Sequence, residues 1–250
     1  MSGIAIITSV ARQRIDSLLV DRGLVESRAK AQALIMAGEV VVTGNPVTKP
    51  GSLVKEEETI TILEPPPFVS RGGIKLDYAL EQFQIDVSSQ VAADIGASTG
   101  GFTDCLLQRG ASRVYAIDVG YGQLDYRLRQ DSRVVVMERV NARYPITLPE
   151  KVDLATMDLS FISVEKVIPS VVKLLKDSNY MLVLFKPQFE ARRDEVGKGG
   201  VIKQPIVHAR VLGRFIAWIT KHGFRLGGLV ASPILGASGN KEFFVLLRSA

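Results

Sequence analysis

The sequence predicts a mostly parallel, doubly wound α/β domain preceded by a small α+β domain. Beyond residue 69, seven short apolar runs typical of strands alternate with helix-like stretches, which is the order of a parallel sheet with crossover helices. Before residue 65, two short helical patterns are followed by strand-like runs. Three consecutive prolines, Pro65 to Pro67, separate the two patterns, because they can continue neither a helix nor a central strand. We therefore predict an N-terminal domain over residues 10–64, a proline-rich linker over 65–69 and a larger domain over 70–250.

In the small domain, two helices come first. Ile15, Leu18 and Leu19 lie at helical spacing, and Gly23 follows them as a cap. A second helix is predicted to start after Ser27, its N-cap, and to stop near residue 38. The strand-like runs that follow cover residues 39–43 and 59–63, with a turn at 44–46.

In the larger domain, the predicted strands are apolar runs rich in β-branched residues. They cover residues 91–95, 114–117, 134–137, 152–157, 180–185, 224–231 and 243–247. The most distinct helical patterns cover residues 164–175 and 207–221.

Composition narrows the class of protein. The longest compact apolar run in the larger domain, residues 180–185, is far shorter than the ~20 residues of a membrane helix. The first arginines follow the apolar N-terminus instead of preceding it, so we predict no secretion signal. A single cysteine, Cys105, excludes an internal disulfide and a cysteine metal cluster, so we expect a cytoplasmic protein without metal or membrane. The net charge of +5 favours an anionic partner.

A glycine-rich segment, Asp94-Ile-Gly-Ala-Ser-Thr-Gly-Gly101, follows the first strand of the larger domain. Its glycines lie where the chain turns tightly before a helix and where a ligand can approach the backbone. It lacks the lysine of a phosphate-binding loop and the spacing of a dinucleotide fingerprint, which disfavours ATP hydrolysis and hydride transfer. Asp118 ends the next strand, where its carboxylate can accept hydrogen bonds from ribose hydroxyls. Together these features predict a nucleotide-type cofactor site.

Ligands of open α/β sheets bind at the carboxyl edge, which also receives the residues after the third and fourth strands. The predicted cofactor-binding residues are Asp94, Gly96, Ala97, Ser98, Thr99, Gly100, Gly101, Phe102, Asp118, Val119, Asn141 and Asp158.

Four charged residues fall next to strand ends or in predicted loops at that edge: Lys75, Asp158, Lys186 and Glu242. Lys186 is the most informative, because it ends a strongly apolar strand. A reaction at a hydroxyl needs a base, and a lysine can serve if burial and a second cation favour its neutral form. We predict Lys186 as the base and Lys75 as the second cation, with both carboxylates positioning the lysine and the substrate.

These motifs resemble the TlyA (hemolysin A) family, whose catalytic domain is similar to FtsJ-type ribose 2′-O-methyltransferases and whose members methylate ribosomal RNA. The matching stretches are Arg71-Gly-Gly-Ile-Lys75, Gly96-Ala-Ser-Thr-Gly-Gly-Phe-Thr-Asp104, Asp158-Leu-Ser-Phe-Ile-Ser163, Lys186-Pro-Gln-Phe-Glu190 and Gly197-Lys-Gly-Gly200. The resemblance implies a Rossmann-like, seven-stranded methyltransferase domain with S-adenosyl-L-methionine as cofactor. It also implies that the family's Lys-Asp-Lys-Glu tetrad falls on the four charged residues named above.

The small domain resembles the RNA-binding domain of ribosomal protein S-four. The matching stretches are Arg14-Ile-Asp-Ser-Leu-Leu19, Gly23-Leu-Val-Glu-Ser-Arg28, Ala33-Leu-Ile-Met-Ala-Gly38 and Val40-Val-Val-Thr-Gly44. We expect ribosomal RNA within ribosomal subunits as the partner, contacted by basic side chains that neutralise phosphates. The predicted RNA-binding residues are Arg12, Arg14, Arg28, Lys30, Lys49, Arg71, Arg192, Arg193 and Lys198.

The predicted function is therefore methyl transfer to a ribose 2′-hydroxyl of ribosomal RNA. Three alternatives stay open at this point. A membrane-active cytolysin is suggested only by the hemolysin name of the family. A non-catalytic RNA-binding factor would be expected to lack a tetrad residue, and all four are present. A base-directed RNA methyltransferase would usually carry a polar and aromatic loop that recognises the base.

Overall fold

The computed structural model describes residues 12–36, 38–63, 66–236 and 238–249. The apolar N-terminus, the predicted start of the small domain at residue 10 and Pro65 of the predicted linker lie outside these residues. The chain forms two compact units, Met1–Pro66 and Pro67–Ala250. Within the described ranges, no helix is long and apolar enough to cross a membrane.

In the described part of the smaller unit, the chain forms two helices and five short strands. In chain order these are β1 (Arg12–Arg14), α1 (Ile15–Asp21), α2 (Arg28–Met36), β2 (Val40–Val42), β3 (Asn45–Pro46), β4 (Leu53–Lys55) and β5 (Ile60–Ile62). Strands β3, β2 and β5 form one antiparallel sheet, and β1 pairs with β4. Both predicted helices are confirmed, and their apolar faces pack on β2 and β4 in one core. The sequence missed β1 and β4, because three residues are too few for an alternating pattern.

The larger unit is a seven-stranded sheet with helices on both faces. Its elements are α3 (Arg71–Gln82), β6 (Val91–Ile95), α4 (Gly101–Gln108), β7 (Arg113–Ile117), α5 (Tyr126–Gln130), β8 (Val134–Met137), β9 (Val152–Met157), α6 (Ile168–Val171), β10 (Leu175–Phe185), α7 (Pro187–Glu190), α8 (Pro205–Lys221), β11 (Phe224–Ala231) and β12 (Phe243–Ser249). The strand order is β11-β12-β10-β9-β6-β7-β8. Strand β12 runs opposite to the other six, which all point in the same direction. All seven predicted strands are present.

The two faces of the sheet carry separate apolar layers. Helix α8 contributes Val211 and Phe215 to one layer, and α3 and α4 contribute Leu80 and Leu106 to the other. Strands β6, β7, β9 and β10 run parallel to one another, so their carboxyl ends lie at one edge of the sheet. Neighbouring strands β6 and β9 lie at the switch point of the strand order, where a ligand crevice is expected.

Two helical predictions differ from the structure. The helix predicted over residues 164–175 is broken into α6 with a short 3-10 turn on either side, because Pro169 has no N–H and disfavours a helical residue before it. Helix α3 was not predicted, since Gly72 and Gly73 near its start obscure the helical pattern. Gly73 is required for packing, because a Cβ there would lie 2.2 Å from Phe68.

The end of the predicted linker is attached to the larger unit. The Val69 N–H donates to Asp104 Oδ2 at 2.8 Å, and Gln108 Nε2 donates to the Pro67 carbonyl at 2.9 Å. Phe68 is buried against α3 and α4. These contacts fix the chain that leads into α3.

Candidate active site

The glycine-rich turn after β6 brings the backbone of two strand ends together. Gly96 has a φ of 87°, and a Cβ there would lie 2.4 Å from the Asp158 carbonyl oxygen. Gly100 has a φ of 96° and caps α4. The Gly96 N–H donates to the Ile117 carbonyl at 2.8 Å, which ties the turn to β7. Glycine is needed at both positions because of the left-handed backbone, and at residue 96 also because of the close approach.

Asp94 lies behind this turn and is fully buried. Its Oδ2 accepts a hydrogen bond from Thr103 Oγ1 at 2.7 Å, and its Oδ1 accepts one from Thr156 Oγ1 at 3.2 Å. Burial raises the pKa of Asp94 to about 7, although both hydroxyls oppose the shift. The carboxylate therefore links β6, α4 and β9, so its position supports the turn from behind. Gly100, another predicted cofactor residue, is likewise buried, against Leu128.

A cavity of about 500 Å³ opens at the carboxyl ends of β6, β7 and β9. Its polar lining includes Asp118, whose Oδ2 accepts from the Ser98 N–H at 2.8 Å and whose Oδ1 accepts from the Gly120 N–H at 2.6 Å. Each carboxylate oxygen keeps capacity for another donor. The predicted cofactor residues that line this cavity are Gly96, Ser98, Asp118, Val119, Asn141 and Asp158, and its apolar walls include Ile117, Val140 and Ile162.

A second cavity, of about 330 Å³, lies beside the first and shares part of its wall. It brings together all four residues of the predicted tetrad, Lys75, Asp158, Lys186 and Glu242, with Arg71, Gly96, Ala97, Ser98, Thr99, Gly101 and Phe102. Gly96, Ser98 and Asp158 line both cavities, so the two spaces meet at the glycine-rich turn.

Each lysine of the tetrad has its own carboxylate. Lys75 Nζ lies 2.6 Å from Glu242 Oε2, with side-chain exposures of 9% and 3%. Lys186 Nζ lies 2.6 Å from Asp158 Oδ1, and it also donates to Ser160 Oγ at 3.1 Å. Burial of these charges is tolerated because they are paired.

The origin of Lys75 corrects one prediction. The sequence placed this residue in a loop or next to a strand end, whereas it lies in the second turn of α3. Helix α3 packs on α4 through the glycines at their starts, since a Cβ on Gly101 would lie 2.9 Å from the Gly73 nitrogen. This close packing is the physical reason that a helical lysine reaches the edge of the sheet.

Two site residues were missed by sequence reasoning. Ser160 bonds to Lys186, and Phe161 is 91% exposed with a φ of 64°. The Phe161 ring lies 5.0 Å from that of Phe189, and Phe161 lines the larger of the two cavities. Both residues lie within a motif quoted above, and an aromatic residue directly after a strand end was the available signal.

The predicted RNA-binding residues lie on both units. Arg14 and Arg28 meet at the fully buried Asp16, with Arg14 Nη2 2.9 Å and Arg28 Nε 3.0 Å from Asp16 Oδ2. Arg71 lines the smaller of the two cavities. Arg12, Lys30 and Lys49 are exposed in the smaller unit, and Arg192 and Arg193 are exposed after α7. The backbone of Lys198 lies in a 3-10 turn.

The fold and the site together define a methyltransferase of the Rossmann-like class. The fold is a seven-stranded α/β sheet, and the site has a glycine-rich turn after β6, an acid after β7 and two lysine–carboxylate pairs beside the turn. Comparison with known proteins supports the same class of enzyme. The pattern of the FtsJ-like methyltransferase family matches residues 68–249, and that of the S4 domain matches residues 13–60. The chain belongs to the FtsJ-like methyltransferase family, with an S4 domain at its N-terminus.

Individual relatives cover almost the whole chain. The 16S/23S rRNA (cytidine-2'-O)-methyltransferase TlyA of Mycobacterium tuberculosis is 45% identical over 242 residues, which is 95% of this chain and 90% of the relative. Hemolysin A of Brachyspira hyodysenteriae is 43% identical over 92% of this chain and 97% of its own. A solved structure from Streptococcus thermophilus that carries the name hemolysin has a TM-score of 0.74 at 40% identity, covering 97% of this chain and 90% of its own. The predicted fold class, family and enzyme class are confirmed.

Proposed function

We propose that this protein transfers a methyl group from S-adenosyl-L-methionine to a ribose 2′-hydroxyl of ribosomal RNA. One observation carries the proposal. A cavity with the lining of a nucleoside site and a cavity with two lysine–carboxylate pairs meet at Gly96, Ser98 and Asp158. A donor bound in the first can therefore face an acceptor oxygen in the second.

The lining of the larger cavity fits S-adenosyl-L-methionine. Asp118 offers carboxylate oxygens to ribose hydroxyls, while Ile117, Val140 and Ile162 provide apolar surface for the adenine. The absence of a side chain at Gly96 leaves the backbone open to close approach. When bound, the cofactor supplies an electrophilic methyl group on a sulfonium.

The tetrad would manage the proton of the acceptor hydroxyl. Lys186 Nζ would accept that proton while the oxygen takes the methyl group from sulfur and the carbon–sulfur bond breaks, and Asp158 would hold the lysine in place. Lys75 would place a second positive charge beside the site, which would stabilise negative charge developing on the oxygen. Glu242 fixes the position of Lys75.

RNA is the macromolecular partner, since the chain carries an S4 domain and belongs to a family with RNA methyltransferase relatives. We assign RNA docking to residues 10–64 and chemistry to residues 70–250, joined by residues 65–69. The exposed Phe161 beside the cavities supports an unstacked nucleotide as acceptor, because aromatic rings stack on splayed bases. The names of the relatives support ribosomal RNA within ribosomal subunits as the substrate, and we therefore infer that the protein acts in the cytoplasm.

The base assignment is tested by Lys186→Ala. We expect transfer to fall at least ~100-fold, the usual contribution of general base catalysis, while the affinity for S-adenosyl-L-methionine changes less than about twofold. Lys221→Ala, which removes an exposed lysine at the end of α8, is the matched control and should retain full transfer. Both quantities are measured on purified protein, transfer with labelled cofactor and ribosomal subunits, affinity by calorimetry. Unchanged transfer would refute the base, and loss of cofactor affinity together with transfer would make the lysine structural.

A further inference from the structure

We propose that Asn240 is a positioning residue that couples a basic loop to the Lys75–Glu242 pair. The basic loop comprises residues 192–203 and carries Arg192, Arg193, Lys198 and Lys203. Contact of this loop with the RNA backbone would then fix the carboxylate that holds Lys75. The inference rests on the proposed function and adds to it the route by which substrate contact reaches the tetrad.

The Asn240 side chain is buried, with 2% exposure, and both halves of its amide bind the basic loop. Nδ2 donates to the Gly200 carbonyl at 2.9 Å, and Oδ1 accepts from the Ile202 N–H at 2.9 Å. One amide thereby satisfies two backbone groups of the loop, as a neighbouring strand would. Truncation of the side chain would leave both groups without that partner, which is costly for the N–H of the buried Ile202.

On its other side, Asn240 belongs to the turn that presents Glu242. The Gly236 N–H donates to the Asn240 carbonyl at 2.9 Å, and the Ser232 N–H donates to the Glu242 carbonyl at 2.8 Å. A Cβ on Gly236 would lie 2.2 Å from Glu242 Oε1, so the carboxylate lies directly against this backbone. A shift of the turn would therefore move the Glu242 carboxylate relative to Lys75.

The basic loop has a second anchor that does not involve the Glu242 turn. Glu195 accepts from Arg214 of α8 at 3.0 and 2.6 Å, and its Oε2 accepts from the Arg192 N–H at 2.9 Å. The loop is thus held to α8 near its start and to Asn240 near its end. Loosening the first anchor should disturb RNA contact, whereas loosening the second should disturb the tetrad.

The test combines Asn240→Ala with Glu195→Gln and a double-mutant cycle. With ribosomal subunits as substrate, we expect Asn240→Ala to lower kcat about tenfold, while KM for subunits and the affinity for cofactor change less than about twofold. Glu195→Gln should raise KM and leave kcat within about twofold. Thermal melting of each variant checks that it is folded.

The cycle separates positioning from a general loss of structure. In a Glu242→Gln background, where the carboxylate is already lost, Asn240→Ala should lower single-turnover transfer less than about twofold. Equal losses in both backgrounds, or no loss in either, would overturn the proposal.

A second readout is independent of methyl transfer. In Asn240→Ala, hydrogen exchange should accelerate both at the Ile202 amide and at the Ser232 amide, which bonds to Glu242. Unchanged exchange at Ser232 would overturn the coupling even if the loop became mobile. If wild-type protein transfers no methyl group to any RNA, the proposed function fails, and this exchange measurement alone decides whether Asn240 couples loop and turn.

Discussion

Asp94 is buried, and among the described residues its side-chain hydrogen bonds come from two threonine hydroxyls and not from a cation. Its pKa of about 7 lies above the ordinary value for an aspartate, because burial disfavours the charged form. The folded protein therefore binds the Asp94 proton more tightly than the unfolded chain does between pH 4 and 7. The contribution of this group to the free energy of unfolding falls as pH rises through that window and levels off above about 7.

Asp94→Asn removes the titration and nearly preserves the shape of the side chain. We predict that the unfolding free energy of wild type minus that of Asp94→Asn decreases as pH rises from about 4 to about 7. Urea unfolding at several pH values measures this difference, and other carboxylates cancel because both proteins contain them. A difference that stays flat, or that increases with pH, would show that burial does not control this group.

At the scale of residues, the order of the strands along the chain was enough to predict which side chains lie close together. Asp118, Asp158 and Lys186 follow parallel strands, whose carboxyl ends must meet at one edge. The pairing of each lysine with a particular carboxylate could not be predicted, because it depends on the packing of a helix against the sheet. The inward orientation of Asp94 was equally hidden, since its partners Thr103 and Thr156 come from two other elements.

Helices α1 and α2 of the smaller unit are joined by one buried carboxylate. Asp16 accepts hydrogen bonds from Arg14 on the strand side and from Arg28 and Gln32 on α2. The arginine contacts hold the pKa of Asp16 well below its usual range, although burial opposes this shift. Both guanidinium groups remain about half exposed, so Asp16 fixes their direction without covering them.

Asp16→Asn provides a test in which two effects have opposite signs. The substitution raises the net charge, so simple electrostatic attraction predicts tighter RNA binding. If Asp16 positions the two arginines for phosphates, binding to ribosomal subunits should instead weaken, by about three- to tenfold. Glu26→Gln, which neutralises an exposed carboxylate of the same unit, is the matched control and should not weaken binding. Tighter binding of Asp16→Asn than of wild type would refute the positioning role.

At the scale of elements, long apolar runs were predictable and short polar elements were not. All seven strands of the larger sheet were predicted from apolar runs, and the inner strands β6, β9 and β10 are strongly hydrophobic because both faces of the sheet are covered there. Strand β1 has the sequence Arg12-Gln-Arg14 and forms only through its partner β4. Helix α3 begins with two glycines that weaken it locally, and tertiary packing stabilises it instead.

The whole molecule consists of two units with separate cores, and we propose a different task for each. We propose that the S4 domain contacts RNA and that the FtsJ-like domain holds the cofactor site and the tetrad. The sequence indicated both classes of domain because their motifs are local in the chain. That two cavities meet at the glycine-rich turn could not be predicted from the sequence, because their walls come from strands and helices that are far apart in the chain.

The central claim is that the acceptor is a ribose 2′-hydroxyl of ribosomal RNA. Alkaline cleavage of RNA requires a free 2′-hydroxyl, so a 2′-O-methylated nucleotide protects its own phosphodiester bond. Ribosomal subunits are incubated with the protein and methyl-labelled S-adenosyl-L-methionine, and the extracted RNA is hydrolysed in alkali. If the ribose is methylated, the label will appear in alkali-resistant dinucleotides. Label in mononucleotides would indicate methylation of a base. Absence of label from the RNA would show that ribosomal RNA is not the substrate. Either result would contradict 2′-O-methylation of ribosomal RNA.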